Sequence, residues 1–569
     1  MQILTADVLV VGGGTGGTAA AIASARRGAK TILVSEFPWL GGMLTSAGVS
    51  APDGNELEAF QTGLWGAFLK ELQQRHGGLD RSWVSFFSYD PRVGAQIFAE
   101  WVQALPNLHW IRGEVPLEVY YQGGCITGVR FREFAVTAKI TLDATELGDI
   151  LALADVPYRW GWELQSEWNE PSAPVKPNAL TAQYPVQAPT WVVIMQDYST
   201  DIAPEIAPAP NYDASKFSRA WENYGVEQFL NYGRLPENRF MINWPIHGND
   251  YGVGVERLIA SKTAQNEFLQ ECFWHSQNFA YFIQSQIGCR YGLADVFDTG
   301  LAMHPYYRES RRVIGLDTVR EQDILPIPTG QVAAFKPDAI AFGNYPNDHH
   351  YPGFEFPLTP KSIRWGGRWT GTPFTIPYGC LIPATIDGLL VCEKNISVSH
   401  IANGATRLQP VVMGIGQAAG TAAALCVEQG CQPRELAVRT LQEALLAQKA
   451  AIAPLFNLPP QHPDWLYWQK YYLDNPEKYP VDGNCPCAVY QDIPSDNTTK
   501  FSGTFYKHDT QNYTIRIDSP TEFCGSWILV TLRSHVNHQL ETYPNNSPIE
   551  VSGRINYAGK WLLVQSIHT

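Results

Sequence analysis

Residues 6–36, ADVLVVGGGTGGTAAAIASARRGAKTILVSE, contain a complete dinucleotide-binding unit. An apolar strand runs into a glycine turn, an alanine-rich helix follows, and a second apolar strand ends on an acid. Gly12, Gly14 and Gly17 keep the G-x-G-x-x-G spacing, with Thr15 and Gly16 inside it. Such spacing lets the chain turn tightly, lets backbone approach a diphosphate, and lets the helix lie close against the strand. Unpaired N–H groups at the start of that helix point at the phosphates. Glu36 stands 22 residues beyond Gly14, where a carboxylate accepts from both ribose hydroxyls. An acid there argues against a 2′-phosphate and leaves NAD or FAD as the cofactor.

The rest of the chain is far larger than this unit. At 569 residues it exceeds the size at which a single core stops growing, about 250–300 residues, so two or three substructures are expected. Its 41 basic and 55 acidic residues give a net charge of −14 with no basic block. That balance makes nucleic acid and anionic membrane surfaces poor partners and points to small molecules. The N-terminus enters a strand without a signal segment. Cys485-Pro486-Cys487 is the one close pair among ten cysteines, which is neither a zinc pattern nor a disulfide framework. Reduced thiols and a cytoplasmic location are the expectation. Residues 408–427 are uncharged and nearly long enough to cross a bilayer, but their Gly, Ala, Thr and Gln content fits a buried helix.

Beyond Glu36, the Gly41-Gly42 pair in FPWLGGM offers a second place for close backbone approach. Strand-like stretches at Leu108–Gly113, Val115–Tyr121 and Ile126–Arg132 predict a small antiparallel layer inserted after the first βαβ unit. Ile140–Ala144 reads as a buried strand leading into Asp143-Ala144-Thr145. From 158 to 375 prolines and aromatics replace periodic pattern, as in a substrate-facing region. Residues 381–392 recover a strand, followed by a polar stretch and a helix from about Pro410 to Gly430. After a charged amphipathic helix at 434–450, the C-terminal residues carry strand patterns at Tyr513–Ile517, Trp527–Leu532 and Lys560–Ser566.

Four separated pieces share one family order. They are VVGGGTGGTAAAIASARRGAKTILVSE with WLGGMLTSAGV; LDATELGDILALADVPY; YRESRRVIG; and IPYGCLIP…GLLVCEKNISVSHIANGATRLQPVVMGIGQAAGTAAAL. With them the chain resembles the FAD-dependent oxidoreductase family with a glutathione-reductase-like flavin fold, distantly similar to fumarate-reductase-type flavoproteins. The resemblance implies an α/β fold: a Rossmann-like FAD-binding domain of three layers (ββα), an interleaved α+β substrate domain and a small β-rich appendage. The expected division is 1–157 and 376–432 for the FAD domain, 158–375 for the substrate or cap domain, 433–484 for a helical and proline-rich connection, and 485–569 for the appendage. FAD, bound noncovalently, is the implied cofactor. Gly41, Gly42 and Met43 would lie along its phosphate and ribityl side, Val115 would meet the adenine through its main chain, and Asp143, Ala144 and Thr145 would sit beneath the diphosphate. Asn395, Gly414, Gly416 and Gln417 complete the implied set, on a stretch whose helix aims its N-terminus at the isoalloxazine, where helix-end potential favours the reduced anion. Two positions depart from the family pattern. Gly379 follows Tyr378 where an arginine is common, and Glu146 replaces a glycine.

For chemistry, Arg308, Glu309, Arg311 and Arg312 form a dense polar cluster, and arginine forks hold carboxylates well. Arg308 is expected to face the substrate, a salt-bridge network being the alternative for the cluster. His400 and Arg407 bracket the approach to the late helix, which makes His400 the general acid/base candidate. His304, Tyr306 and Tyr307 are expected either to line the pocket or to pack as core aromatics. His349-His350 lacks a carboxylate at ligand spacing and predicts no metal. The reading is an oxidoreductase that moves hydride between FAD and a small organic substrate: an alcohol, an amine or an activated alkene. A flavin monooxygenase and a non-catalytic flavin-containing binding protein are the alternatives. The electron acceptor is not legible, and homo-oligomers are compatible with the sequence.

Overall fold

The computed structural model describes all residues except 77–78, 491–497 and 569. Seven strands form the principal sheet: β1 (Gln2–Val11), β2 (Thr31–Ser35), β3 (Leu108–Arg112), β4 (Glu118–Gln122), β5 (Cys125–Arg130), β6 (Phe134–Asp143) and Leu389–Val391. Their order is β3-β2-β1-β6-β5-β4, with Leu389–Val391 also on β6. β1 is parallel to β2 and β6, and β2 to β3. Val8, Leu9 and Val10 are wholly buried, as expected of a parallel strand covered on both faces. β6 is long enough to serve two layers. Its start pairs with β5 at Ala135–Thr137, and its end pairs in parallel with Leu389–Val391 at Thr141–Asp143.

The sequence reading needs one change here. Leu108–Arg112 does not belong to the antiparallel layer; it extends the parallel sheet as β3, and the layer consists of β4, β5 and the start of β6. The helices Gly63–His76 and Pro91–Gln103 lie between β2 and β3 and supply the crossover that a parallel pairing requires.

The helix α1 (Thr15–Arg26) and the late helix Gln409–Gln429 pack backbone to backbone. A Cβ on Gly416 would stand 2.1 Å from the Gly16 oxygen, and one on Gly420 would stand 2.0 Å from the Ala20 oxygen. The late helix passes a length and composition test for a membrane span, yet 89% of its apolar window is buried inside the protein. Small residues bring it close to α1.

Residues 193–293 contribute a second, antiparallel sheet of Tyr291–Leu293, Val193–Asp197, Arg239–Ile242 and Arg234–Leu235. Strand alternation divides its side chains. Val193 and Met195 join Phe279 and Phe282 of the helix Lys262–Ile287, whereas Val192, Ile194 and Met241 pack on Met43, Ala47 and Val49. The sheet therefore presses one face on the loop that leaves the glycine-rich turn. C-terminally, five strands close a barrel: Thr499–Asp509, Asn512–Ser519, Gly525–Val530, Trp561–His568 and Pro548–Asn556. Phe501, Phe505, Ile515, Leu529 and Leu562 fill it.

Candidate active site

The turn between β1 and α1 opens on a cavity of about 680 Å³. Gly12, Gly13 and Gly14 form its floor, Glu36 stands at the end of β2, Val115 comes from the loop before β4, and Ala144 and Thr145 follow β6. Gly12 has φ +114°, and a Cβ there would fall 2.0 Å from the Ala144 oxygen, so the two strand ends can meet only at glycine. Asp143 fixes the next turn by accepting from the Thr145 N–H and hydroxyl at 3.0 and 2.7 Å and from the Leu151 N–H at 3.1 Å. Burial pushes the Asp143 carboxyl up to about 6. Opposite, His304 stacks on Phe37 at 4.5 Å and holds the Ser46 hydroxyl at 2.9 Å. His304, Tyr307 and Arg311 line this cavity, as does Lys262.

Seven predicted cofactor residues thus meet at one cavity: Gly12, Gly14, Glu36, Gly42, Val115, Ala144 and Thr145. Others shape it from behind. The Thr15 hydroxyl donates to the Gly41 oxygen at 2.7 Å, Gly17 packs on Gly12 and Ala144, and Asn395 donates to the Asp143 oxygen at 3.1 Å. Met43 is buried among Ala47, Val192 and Ala302. Gly414, Gly416 and Gln417 do not reach the cavity. Gly416 serves contact with Gly16 of α1, a Cβ on Gly414 would face Ala341, and the Gln417 Oε1 accepts the Leu64 N–H at 2.9 Å. Gly16 gives its N–H to Glu393 Oε1 at 2.6 Å.

Glu393 and Lys394 escaped the sequence reading. Lys394 Nζ lies 2.6 Å from Glu146 Oε2 and 3.4 Å from Glu393 Oε2, and all three groups are tucked against the start of α1. The unexpected Glu146 faces the cavity, and its Oε1 is buried without a hydrogen-bond partner. An unsatisfied buried oxygen in a glycine-lined cradle is a feature a bound ligand completes. Together with the acid at the end of β2 and the open start of α1, the residues fit FAD.

A second cavity, of about 800 Å³, is lined by neighbouring residues of two segments that also line the first. Gly42 and Ser46 line one cavity, while Val49, Ala51 and Asp53, farther along the same segment, line the other. Similarly, Met303, His304 and Pro305 face the first and Tyr306 and Arg308 the second. Arg407, Leu408 and Gln409, at the start of the late helix, close the second cavity.

Arg308 and Arg407 meet there although ninety-nine positions separate them. Arg308 donates to the Ala188 oxygen at 2.6 Å and to Thr190 at 2.7 Å, and pairs with Asp250 at 3.1 Å. Arg407 donates to the Tyr306 hydroxyl at 2.6 Å and pairs with Asp348 at 3.2 Å. His350 bridges the two carboxylates, with Nδ1 2.6 Å from Asp250 and Nε2 2.9 Å from Asp348. Burial alone would raise both acids, but Arg308 and His350 hold Asp250, and His350 and Arg407 hold Asp348, well below the ordinary carboxylate range. Both carboxylates are therefore held as acceptors, one at each nitrogen of the His350 ring. Two guanidinium groups and one imidazole thus face two carboxylates. The Nε–H groups of Arg308 and Arg407 are buried without partners, and Lys216 and Arg219 stand exposed at the mouth. The sequence offered no signal for Asp250 or Asp348 beyond polar letters in an aperiodic region, and His350 was weighed there only as a metal ligand.

His400 lines neither cavity. Its Nδ1 lies 2.9 Å from Glu309, its Nε2 2.5 Å from the Tyr351 hydroxyl, and its ring 4.0 Å from that of Trp162. The arginine cluster also divides by direction. Arg308 faces the second cavity, Arg311 the first, and Arg312 is wholly buried between Glu163 at 2.7 Å and Glu309 at 3.1 Å. The expected pocket residue and the expected salt-bridge network are both present, in different members of one run.

A nucleotide cradle from which two segments run on to line a charged second cavity is the arrangement of a cofactor-dependent oxidoreductase. The chain belongs to the FAD dependent oxidoreductase family, whose model matches residues 7–445. It is thus a flavoenzyme with FAD as cofactor. No curated protein sequence matches it. Among solved structures it is similar to a geranylgeranyl bacteriochlorophyll reductase-like protein from Thermoplasma acidophilum, with 12% identity, TM-score 0.35 and coverage of 84% of this chain and 91% of that one. It is also similar to the E. coli quinol fumarate reductase FrdA, with 13% identity, TM-score 0.30 and coverage of 79% and 74%. T. acidophilum thioredoxin reductase matches at 18% identity and TM-score 0.17, over 29% of this chain and 40% of that one.

Proposed function

We propose that the enzyme transfers hydride between FAD in the first cavity and a small anionic organic substrate in the second. The observation that carries this reading is that segments 42–53 and 303–308 each contribute residues to both cavities in turn. FAD supplies two-electron chemistry when bound, and the protein supplies orientation and charge. The buried, unpartnered Nε–H groups of Arg308 and Arg407 suit one carboxylate on the substrate. Lys216 and Arg219 at the mouth provide local attraction on a chain whose net charge is −14. The start of the late helix adds positive potential where Leu408 and Gln409 reach the cavity.

Anaerobic mixing of the holoenzyme with hydroxy acids, amines, sugars and enoates tests this. Hydroxy acids are expected to bleach the oxidised flavin, or enoates to restore colour to flavin reduced beforehand. Arg308→Lys should weaken the acids by about tenfold, near 1.4 kcal/mol, and leave neutral compounds unchanged. Activity confined to uncharged substrates would overturn the reading.

A further inference from the structure

The segment that passes from one cavity to the other ends on a carboxyl group that has no protein partner. Asp53 lines the second cavity, and among the described residues no hydrogen bond or ion pair ties it to another side chain or to backbone. The other carboxyl and imidazole groups inside that cavity are engaged. Asp250, Asp348 and His350 hold one another and the two arginines. His349 binds the Tyr351 hydroxyl at 2.6 Å and the Ile401 oxygen at 3.0 Å. His275 donates to the Gly248 oxygen at 2.9 Å, and burial brings it down to about 4. Glu355 and His247 stand exposed at the rim.

The surroundings of Asp53 suit a proton carrier. The charges of Glu56, Arg368, Asp348 and Arg407 act on it, and the buried phenols of Tyr232 and Tyr345 are close enough to feel its charge. Burial first, and Glu56 second, push its carboxyl well above the ordinary range against the pull of Arg368 and Arg407. A group so placed holds its proton more tightly than an ordinary carboxyl and faces a ligand that the arginines can hold.

We propose that Asp53 is the catalytic acid–base residue of this enzyme, exchanging a proton with the substrate atom next to the carbon that exchanges hydride. The proposal rests on the reading that the second cavity holds the substrate. In the reductive direction an activated C=C bond loses its π pair. One carbon gains hydride, the two electrons coming from reduced flavin, and its neighbour gains the Asp53 proton. Asp53 is left as a carboxylate and is reprotonated from water. Oxidation runs the same exchange backwards, with the carboxylate as base. A protonated acid also avoids repelling the anionic substrate while the pair assembles.

The test uses the FAD-loaded enzyme and benzoate, a monoanion, read through the flavin absorbance between about pH 6 and pH 9. Wild type should lose benzoate affinity as Asp53 ionises, by about tenfold for each pH unit above the midpoint. Asp53→Asn should bind benzoate with no such dependence and with full flavin content. With an enoate that reoxidises the reduced wild type, the same variant should slow the reaction by about a hundredfold or more, and Asp53→Glu should recover part of the loss. If benzoate leaves the wild-type flavin spectrum unchanged, the cavity assignment fails and this role falls with it. If benzoate binds but wild type and Asp53→Asn share one pH profile or one rate, the role of Asp53 alone is overturned.

Discussion

At the level of single residues, His400 shows what separates a plausible proton relay from a structural ring. Its hydrogen bonds to Glu309 and Tyr351 use both nitrogens, and Trp162 covers its face. Removing it would leave Glu309 and Tyr351 short of a partner in the protein interior, a loss on the order of 3 kcal/mol. We expect His400→Ala to lower the urea midpoint by that equivalent while the surviving folded fraction reduces its flavin at the wild-type rate. A normal midpoint with a slowed reduction would return His400 to the chemistry. Arg308 and Arg407 were legible because arginine carries its recognition chemistry in its own side chain. Asp53, Asp250 and His350 were not, because an acid or imidazole acquires its role from neighbours that the linear sequence leaves far away. Glu146 was legible only as an oddity, and its position beside Lys394 gives that oddity a structural context.

Elements were read with more success where a local pattern carries the whole instruction. The first strand, its glycine turn and α1 are local in this sense, and they occupy Gln2–Val11 and Thr15–Arg26. β3 was misplaced because pairing partners are chosen by the crossover between strands, and two helices intervene between β2 and β3. The late helix was found close to its observed limits, Gln409–Gln429; its glycines were expected to pack on cofactor and sheet, whereas Gly416 and Gly420 lie against α1 and Gly414 faces Ala341. Sequence spacing reveals a small-residue face without revealing which neighbour fills it. That distinction is measurable. Gly416→Val would drive a side chain into the Gly16 backbone, which should cost on the order of 3 kcal/mol and lower the melting temperature of both the flavin-free and the FAD-loaded protein. Loss of FAD affinity with an unchanged flavin-free melting temperature would favour direct cofactor contact.

Across the whole molecule, the barrel is joined to the body by polar contacts that titrate. Asp80 accepts from Asn556 at 2.6 Å and from the Trp561 ring N–H at 3.3 Å. Burial raises its carboxyl to about 6, with those two hydrogen bonds opposing. Because the folded state binds this proton more tightly than the unfolded chain, Asp80 contributes stability that is fully present below about pH 4 and is lost as pH rises towards about 6. Asp143 has the same sign, so the informative measurement is the difference between proteins. Asp80→Asn should flatten the stability profile between about pH 4 and pH 6 relative to wild type, and parallel profiles would remove Asp80 from the linkage. Three of the five barrel strands were visible as alternating patterns, whereas Thr499–Asp509 and Pro548–Asn556 carry too many polar residues to stand out.

The barrel lies beyond the stretch matched by the family, yet it braces the catalytic half of the protein. Leu532 gives its carbonyl to the Glu58 N–H at 2.9 Å, five residues past Asp53, and Trp561 lies against Phe86 with ring centres 5.5 Å apart. A chain shortened to residue 445 would retain the whole nucleotide turn and both arginines. What it would forfeit is the backing of the loop that carries the site's free acid, so the recognisable enzyme is smaller than the working one.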